Sequence, residues 1–350
     1  MEVGIIGPAG AGKSTLFHSL TGVRAGLSGK IELTRGVAQV IDSRVDYIEK
    51  TYNSRKKVYP VVEYVDSPPI ETGGFKKANF RQEFLRGMER TDALAMTIPV
   101  FLPGQKEKAV SAVRELLTEF ALSDLEILEK RLERVERDVK RGVKELQKEG
   151  ELLHKCQEAL ESEIQLSRIV FSEDEMKVLR SFSFLTIKPK LVVLNIAESD
   201  IPARKAVEEA VKSQLPEENI ISICAKVQSE IRDLPEEEIP AFMQEMGIEE
   251  SASNMVIKKT REILGLITFL TAGEQEAHGW DLRQGATASE AAGVIHSDLQ
   301  RGFIRAEVFH FDDLVKYNNE SELKAKGLIR LEGKDYVVKD GDILLIRFKV

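Results

Sequence analysis

Lys13 and Ser14 close the run Gly7-Pro8-Ala9-Gly10-Ala11-Gly12-Lys13-Ser14, which fits G-x-x-x-x-G-K-S/T in full. That spacing suits phosphate. Glycines let backbone N–H groups converge on phosphate oxygens, the lysine brings a charge to the β and γ phosphates, and the hydroxyl can ligate Mg²⁺. Such a site also needs a carboxylate on the magnesium side, at the end of a neighbouring strand. Asp66, directly after Val61-Val62-Glu63-Tyr64-Val65, stands in that place; the bland alternative is a turn aspartate before Ser67-Pro68-Pro69. The expected ligands are therefore ATP (or GTP) and Mg²⁺, with Lys13 as the catalytic side chain and Ser14 and Asp66 on the metal.

A base must be read beyond the phosphates. GTPases typically use N-K-x-D, whose aspartate accepts two hydrogen bonds from guanine while the lysine stem covers the ring. Here the strand Leu191-Val192-Val193-Leu194 ends in Asn195-Ile196-Ala197-Glu198. Glu198 is one methylene longer than the aspartate and Ile196 replaces the lysine, so a bidentate guanine site no longer fits, and sites built from hydrogen bonds discriminate steeply. Asn195 can still bond a purine and Ile196 can pack on its face. ATP is expected to be preferred, with GTP the alternative.

These residues need rigid strand ends to hold them. Val3-Gly4-Ile5-Ile6 reads as a buried strand before the loop and Ser14 to Leu20 as the helix after it. Val61–Val65, Ala93–Val100, Lys190–Asn195 and Ile220–Cys224 supply further apolar runs. Strands alternating with helical stretches predict a parallel sheet covered by helices.

Between Leu122 and about residue 172 the pattern changes. Leu125, Leu132, Val139, Leu146, Leu153 and Leu160 recur every seven residues, with Leu128 and Val135 between them and dense charge around them. This is a coiled-coil pattern whose second seam fails at Gly142 and Glu149, which predicts an antiparallel hairpin turning near Gly142; one long helix is the alternative. A solvated projection and a binding arm are both compatible with its charge. Because strands resume at Lys190, the hairpin is an insertion. From Leu266 onward, strand-like Gly265–Leu270, an Ala-rich helix from Ala288 and a Gly-Asp turn before Ile343-Leu344-Leu345-Ile346 predict a small α+β domain.

The composition excludes several other classes. The N-terminus has no basic region followed by an apolar core, so no signal peptide is expected, and no apolar run approaches the ~20 residues of a spanning helix. Cys156 and Cys224 are the only cysteines, too few for a disulfide framework, which suits a reducing cytoplasm. The five histidines, His18, His154, His278, His296 and His310, never pair at metal-binding spacing. A net charge of −8 gives no general affinity for nucleic acid. Arg301, Arg305, Lys324, Lys326 and Arg330 could form a local RNA-facing patch or simply a solvated surface.

GPAGAGKSTLF, the NxxE variant at Asn195–Glu198, FALSDLEILEKRLERV from Phe120, GATASEAAGVIHSDLQRGFIRAEV (Gly285–Val308) and EGKDYVVKDGDILLIRF (Glu332–Phe348) together resemble the YchF family. This is a translation-factor-class group of P-loop NTPases related to Obg, and the similarity covers nearly the whole chain. The resemblance implies an α/β fold: a P-loop NTPase parallel-sheet domain (1–118 and 173–264), an inserted antiparallel helical hairpin (119–172) and a small α+β TGS domain (265–350). It further implies an ATP-preferring NTPase associated with the ribosome or RNA; apart from the resemblance, no membrane partner is expected, and a monomer is. Gly7 to Thr15, that is Gly7, Pro8, Ala9, Gly10, Ala11, Gly12, Lys13, Ser14 and Thr15, would hold phosphates. Asn195, Ile196 and Glu198 would sit at the base, and Cys224-Ala225 would match the loop that lines it.

Three departures bear on hydrolysis. Lys30 falls where the family's first switch has a magnesium-sensing threonine, and Gly22 to Gly29 looks shortened. The expected D-x-x-G becomes Asp66-Ser67-Pro68-Pro69, and proline has no N–H for the γ-phosphate; Thr72-Gly73-Gly74-Phe75 is a weak substitute. The family's proposed catalytic histidine has no counterpart in Pro103-Gly104-Gln105-Lys106-Glu107. Positioning and charge stabilisation supply most of the catalysis in this class. Slow turnover is expected, raised by a partner or by a monovalent cation such as K⁺. A nucleotide-loaded adaptor is the competing class, and a P-loop kinase is disfavoured because nothing resembles an acceptor lid.

Overall fold

Val3, Ile5 and Ile6 are fully buried in β1 (Glu2–Ile6), as befits a strand covered on both faces. In the computed structural model, which describes residues 1–24, 33–70, 73–74, 78–248 and 250–349, the following strands are β2 (Thr34–Gln39), β3 (Lys57–Val58), β4 (Val61–Asp66), β5 (Ala93–Val100), β6 (Lys190–Ile196) and β7 (Asn219–Ile223). One sheet has the order β2-β4-β1-β5-β6-β7, and the β4-β1, β1-β5, β5-β6 and β6-β7 pairs are parallel. Parallel strands open all their carboxyl ends on one edge, where α/β sheets bind ligands.

The chain forms two compact units, Met1–Val37 with Glu63–Val256, and Ala38–Val62 with Ile257–Val350. The core of the first packs Ile6, Val65, Met96, Ile98, Val192 and Leu194 against Phe84, Val113, Phe120 and Val227 from the covering helices. These helices include α1 (Lys13–Thr21), α3 (Ala78–Met88) and the start of α4 (Ala109–Lys140), while α2 (Ser43–Tyr52) lies in the second unit.

α4 departs from the sequence-based boundary at 118/119. It begins at Ala109, inside the core, and runs unbroken into the projecting hairpin. Val110, Val113, Leu116 and Phe120 continue the apolar stripe backwards, so no break in packing marks the change in composition. The chain then reverses at Gly142, whose φ of 102° only glycine adopts without strain, and returns as α5 (Gln147–Glu161). Leu128, Leu132 and Val135 pack against Leu153, Cys156 and Leu160, and Arg131 closes the seam on Glu149 at 2.7 Å. The base of the hairpin is pinned by buried Asp124, which accepts from Leu185 N (3.0 Å), Thr186 N (2.8 Å) and Thr186 Oγ1 (2.6 Å).

The second unit has its own sheet. β8 (Leu266–Thr271), β9 (Ala277–Arg283), β10 (Phe303–His310), β11 (Arg330–Glu332) and β12 (Asp342–Phe348) take the order β11-β10-β12-β8-β9-β3. Here the structure corrects the division drawn from sequence, which left residues 38–62 inside 1–118. β3 pairs with β9, Lys57 opposite Ala277, and α2 buries Val45 and Ile48 among Leu270, Ala277, Phe309, Leu314 and Ile343. Arg44 reaches Asp340 at 2.7 Å and Tyr52 reaches Glu320 at 2.8 Å. The burial of two β-branched side chains, with polar contacts on either side, fixes the segment there.

Candidate nucleotide site

The loop between β1 and α1 owes its shape to glycine at two positions. Gly7 has a φ of 150°, and a Cβ there would lie 2.3 Å from Thr97 O. Gly12 has a φ of 89° and caps α1, and a Cβ there would meet Asn195 Nδ2 at 2.2 Å. Any side chain at either position would push the loop off the neighbouring strands. The amides opening α1 are left free by helix geometry and carry its positive dipole end.

Lys13 is 7% exposed, and its Nζ donates to Pro8 O at 2.9 Å, so the ammonium folds back over the loop. Burial lowers its pKa from the ordinary lysine value, and the charge of Asp66 works against that. The β1–β4 register sets Asp66 beside Ile5, and its Oδ2 accepts from Ser14 Oγ at 2.7 Å. Burial pushes the Asp66 carboxyl above its ordinary value, opposed by Ser14's hydroxyl and by Lys13. Its other oxygen, Oδ1, is buried with no hydrogen-bond partner among the described residues. A hydroxyl and a carboxylate with a spare buried oxygen form a donor set that fits a hard divalent cation.

At the other end, Asn195 acts as a clamp. Its Nδ2 donates to Ala11 O and its Oδ1 accepts from Ala225 N, each at 3.0 Å, which ties the phosphate loop to the start of the helix Ala225–Asp233. A cavity of about 640 Å³ runs between these pieces, lined by Gly10 to Thr15 and by Asn195, Ile196, Glu198 and Cys224. Ala225 touches the arrangement through its amide, and Gly7, Pro8 and Ala9 form the opposite end of the loop.

Two lining residues escaped the sequence reading, Phe101 and Lys226. Phe101 directly follows β5, and its signal was an aromatic at the end of an apolar run. Lys226 sends Nζ to Glu198 Oε2 at 3.2 Å, an ion pair between two exposed side chains. Only the pairing of β6 with β7 brings the two together, so no local motif announces them.

Beyond Asp66, Ser67 N donates to Ile5 O and Ile70 N to Gly7 O, so the first N–H after Pro68-Pro69 is spent on the loop backbone. Ile70 itself is buried. Lys30, Thr72 and Phe75, and most of Gly22 to Gly29, lie outside the described residues. The segment Pro103–Glu107 is tied down by Lys106 on Asp200 at 2.6 Å. Among the described residues no group of His, Cys, Asp and Glu gathers at metal-binding distance, and no helix is long and apolar enough to cross a membrane.

A glycine-rich strand-to-helix turn at the carboxyl edge of a parallel sheet, with a buried lysine and a hydroxyl–carboxylate pair, defines a nucleotide-binding P-loop NTPase. Comparison agrees on the class. Residues 2–132 match the family model described as "50S ribosome-binding GTPase", and residues 266–349 match YchF-GTPase_C, described as "Protein of unknown function (DUF933)". The "Ribosome-binding ATPase YchF" of Bacillus subtilis is 35% identical over 364 residues, covering 100% of both chains. Its namesake from Escherichia coli O157:H7 is 34% identical over 362 residues, covering 100% of this chain and 99% of the other. The Schizosaccharomyces pombe YchF GTPase superposes with a TM-score of 0.83 at 23% identity, over 99% and 97% of the two chains, a likeness of fold. The chain belongs to the YchF family.

Proposed function

We propose that the chain is an ATP-preferring, Mg²⁺-dependent NTPase of low intrinsic rate whose nucleotide state governs association with the ribosome. The observation that carries the base preference is the residue set at the strand end, Glu198 in place of the aspartate and Ile196 where a guanine site has lysine, with Glu198 paired to Lys226 at 3.2 Å. A guanine edge needs a free carboxylate at that point. Adenine needs none, and Phe101 offers it stacking surface, while Ile196 itself is buried in the core. Gly7 to Thr15 hold the phosphates, with Lys13 on the transferring group; Ser14 and Asp66 would hold Mg²⁺, which supplies charge neutralisation when bound. K⁺ is a candidate accelerator. The ribosome enters from the names of the relatives. The hairpin of 119–172 and a TGS domain at 265–350 are the surfaces we assign to it, in a monomeric cytoplasmic protein.

A second reading, a nucleotide-loaded adaptor with little hydrolysis, is favoured by Pro69 and by the engagement of Ile70 N with Gly7 O. Single-turnover phosphate release with Mg²⁺, K⁺ and ribosomes separates the two. Release above that of Lys13→Ala supports the enzyme, and release equal to it leaves the adaptor.

A further inference from the structure

The chain that leaves Asp66 grips the first half of α4 at three successive levels. Ile70, 3% exposed, shares a core cluster with Val110, Val113 and Leu116. Three residues on, Gly73 N donates to Glu119 Oε1 at 2.8 Å. In α3, Arg81 closes a two-pronged ion pair on Glu126, with Nη2 to Oε1 at 2.6 Å. The contacts keep the same order on both partners, so they form a seam along the helix.

The seam joins the phosphate loop to the hairpin. At its start, Ile70 N donates to Gly7 O at 3.0 Å, and Lys13 Nζ donates to the next carbonyl, Pro8 O, at 2.9 Å. A phosphate drawn to that ammonium therefore pulls on the stretch of backbone that Ile70 holds. Pro8, Ile70 and α4 also line a cleft of about 650 Å³, which leaves Ile70 room to shift that a filled core would deny it. At its far end, Glu126 stands between Leu125 and Leu128, which pack in the hairpin core. α4 runs unbroken for 32 residues, about 48 Å at the usual helical rise. It contains neither proline nor glycine, the common places for a helix to kink, so a shift at its start is carried along it.

We propose that α4 is a lever: occupancy of the phosphate loop resets Ile70, and the Gly73–Glu119 and Arg81–Glu126 contacts pass that change through α4 to the hairpin. A filled loop holds Ile70 in one seat, and the hairpin then opens less often. The seam stands on its own; its control by ligand rests on the nucleotide reading above.

Hydrogen exchange on the full chain, with and without ATP and Mg²⁺, reads both ends of the lever. Saturating ATP should slow exchange of the hairpin amides from Leu128 to Leu160 by at least about fivefold. Joint substitution Arg81→Ala and Glu119→Ala should cut that slowing to about twofold or less, with ATP affinity by titration calorimetry kept within about threefold of native. Glu119→Gln, which keeps an acceptor for Gly73, should behave as the native chain. No slowing in the native chain, or full slowing in the joint variant, would overturn the lever. If the joint variant does not fold, Glu119→Ala alone carries the same test. Without nucleotide, Glu119→Ala should speed exchange of the Ile70 amide, and an unchanged rate would overturn the seam. A native chain that binds no ATP would sink the nucleotide reading instead, and the ligand-free comparison would still decide the seam.

Discussion

Lys13, Asp66 and Gly12 each carry a cost that only a ligand justifies. Asp66 has a folded pKa above its unfolded value, so its favourable contribution is present below the unfolded pKa and is lost as pH rises through the folded one. The ionised form of the buried carboxylate therefore burdens the fold. Asp66→Asn should raise the melting stability of the ligand-free protein by about 1 kcal/mol while weakening Mg²⁺-dependent nucleotide binding at least tenfold. Calorimetric unfolding paired with titration calorimetry checks both, and a variant that loses stability contradicts the burial argument. Gly12→Ala should weaken nucleotide binding severely, because its Cβ would meet Asn195 Nδ2 at 2.2 Å in a left-handed backbone; near-normal binding would show that the clamp can move. The phosphate loop was legible because its eight residues are consecutive. Phe101 and Lys226 were not, since what makes them neighbours is the alignment of β5, β6 and β7.

Among the elements, the hairpin base holds an ionisable pair out of water. Burial pushes the Asp124 carboxyl up to about 6 and brings the Lys190 ammonium down to about 8. Between the unfolded carboxylate value and about 6 the folded state binds the extra proton, so this group's contribution falls as pH rises across that window. The stability of the native protein minus that of Asp124→Asn should shrink by up to roughly 3 kcal/mol from pH 4 to pH 7. Denaturant unfolding at several pH values measures it, and a flat difference would contradict it. Leu153, fully buried in the hairpin seam, gives a second case. Leu153→Ala should cost about 2–5 kcal/mol, read as lost hydrogen-exchange protection in α4 and α5. The heptads and the turn at Gly142 were legible because period and breaker are local. The true start of α4 was not, because one helix serves the core first and the hairpin afterwards.

Taken as a whole, the chain lends a piece of its N-terminal half to the C-terminal unit. The sequence revealed the C-terminal part of that unit, from Gly265–Leu270 through Gly285–Val308 to Glu332–Phe348, but nothing in residues 38–62 states that Lys57 will pair with Ala277. Only Val45 and Ile48, three apart behind the capping Asp42, hint at a face needing cover. Ile48→Ala should therefore remove about 2–5 kcal/mol and loosen β9 and β12, far away in sequence. Hydrogen exchange confined to residues near 48 would speak against a shared core.

The most direct measurement is equilibrium competition of unlabelled ATP and GTP against labelled ATP in the presence of Mg²⁺. We expect ATP to displace the label at a concentration at least about tenfold lower than GTP, and Lys13→Ala to bind neither. GTP binding as tightly as ATP, or undiminished binding by Lys13→Ala, would contradict the site described above.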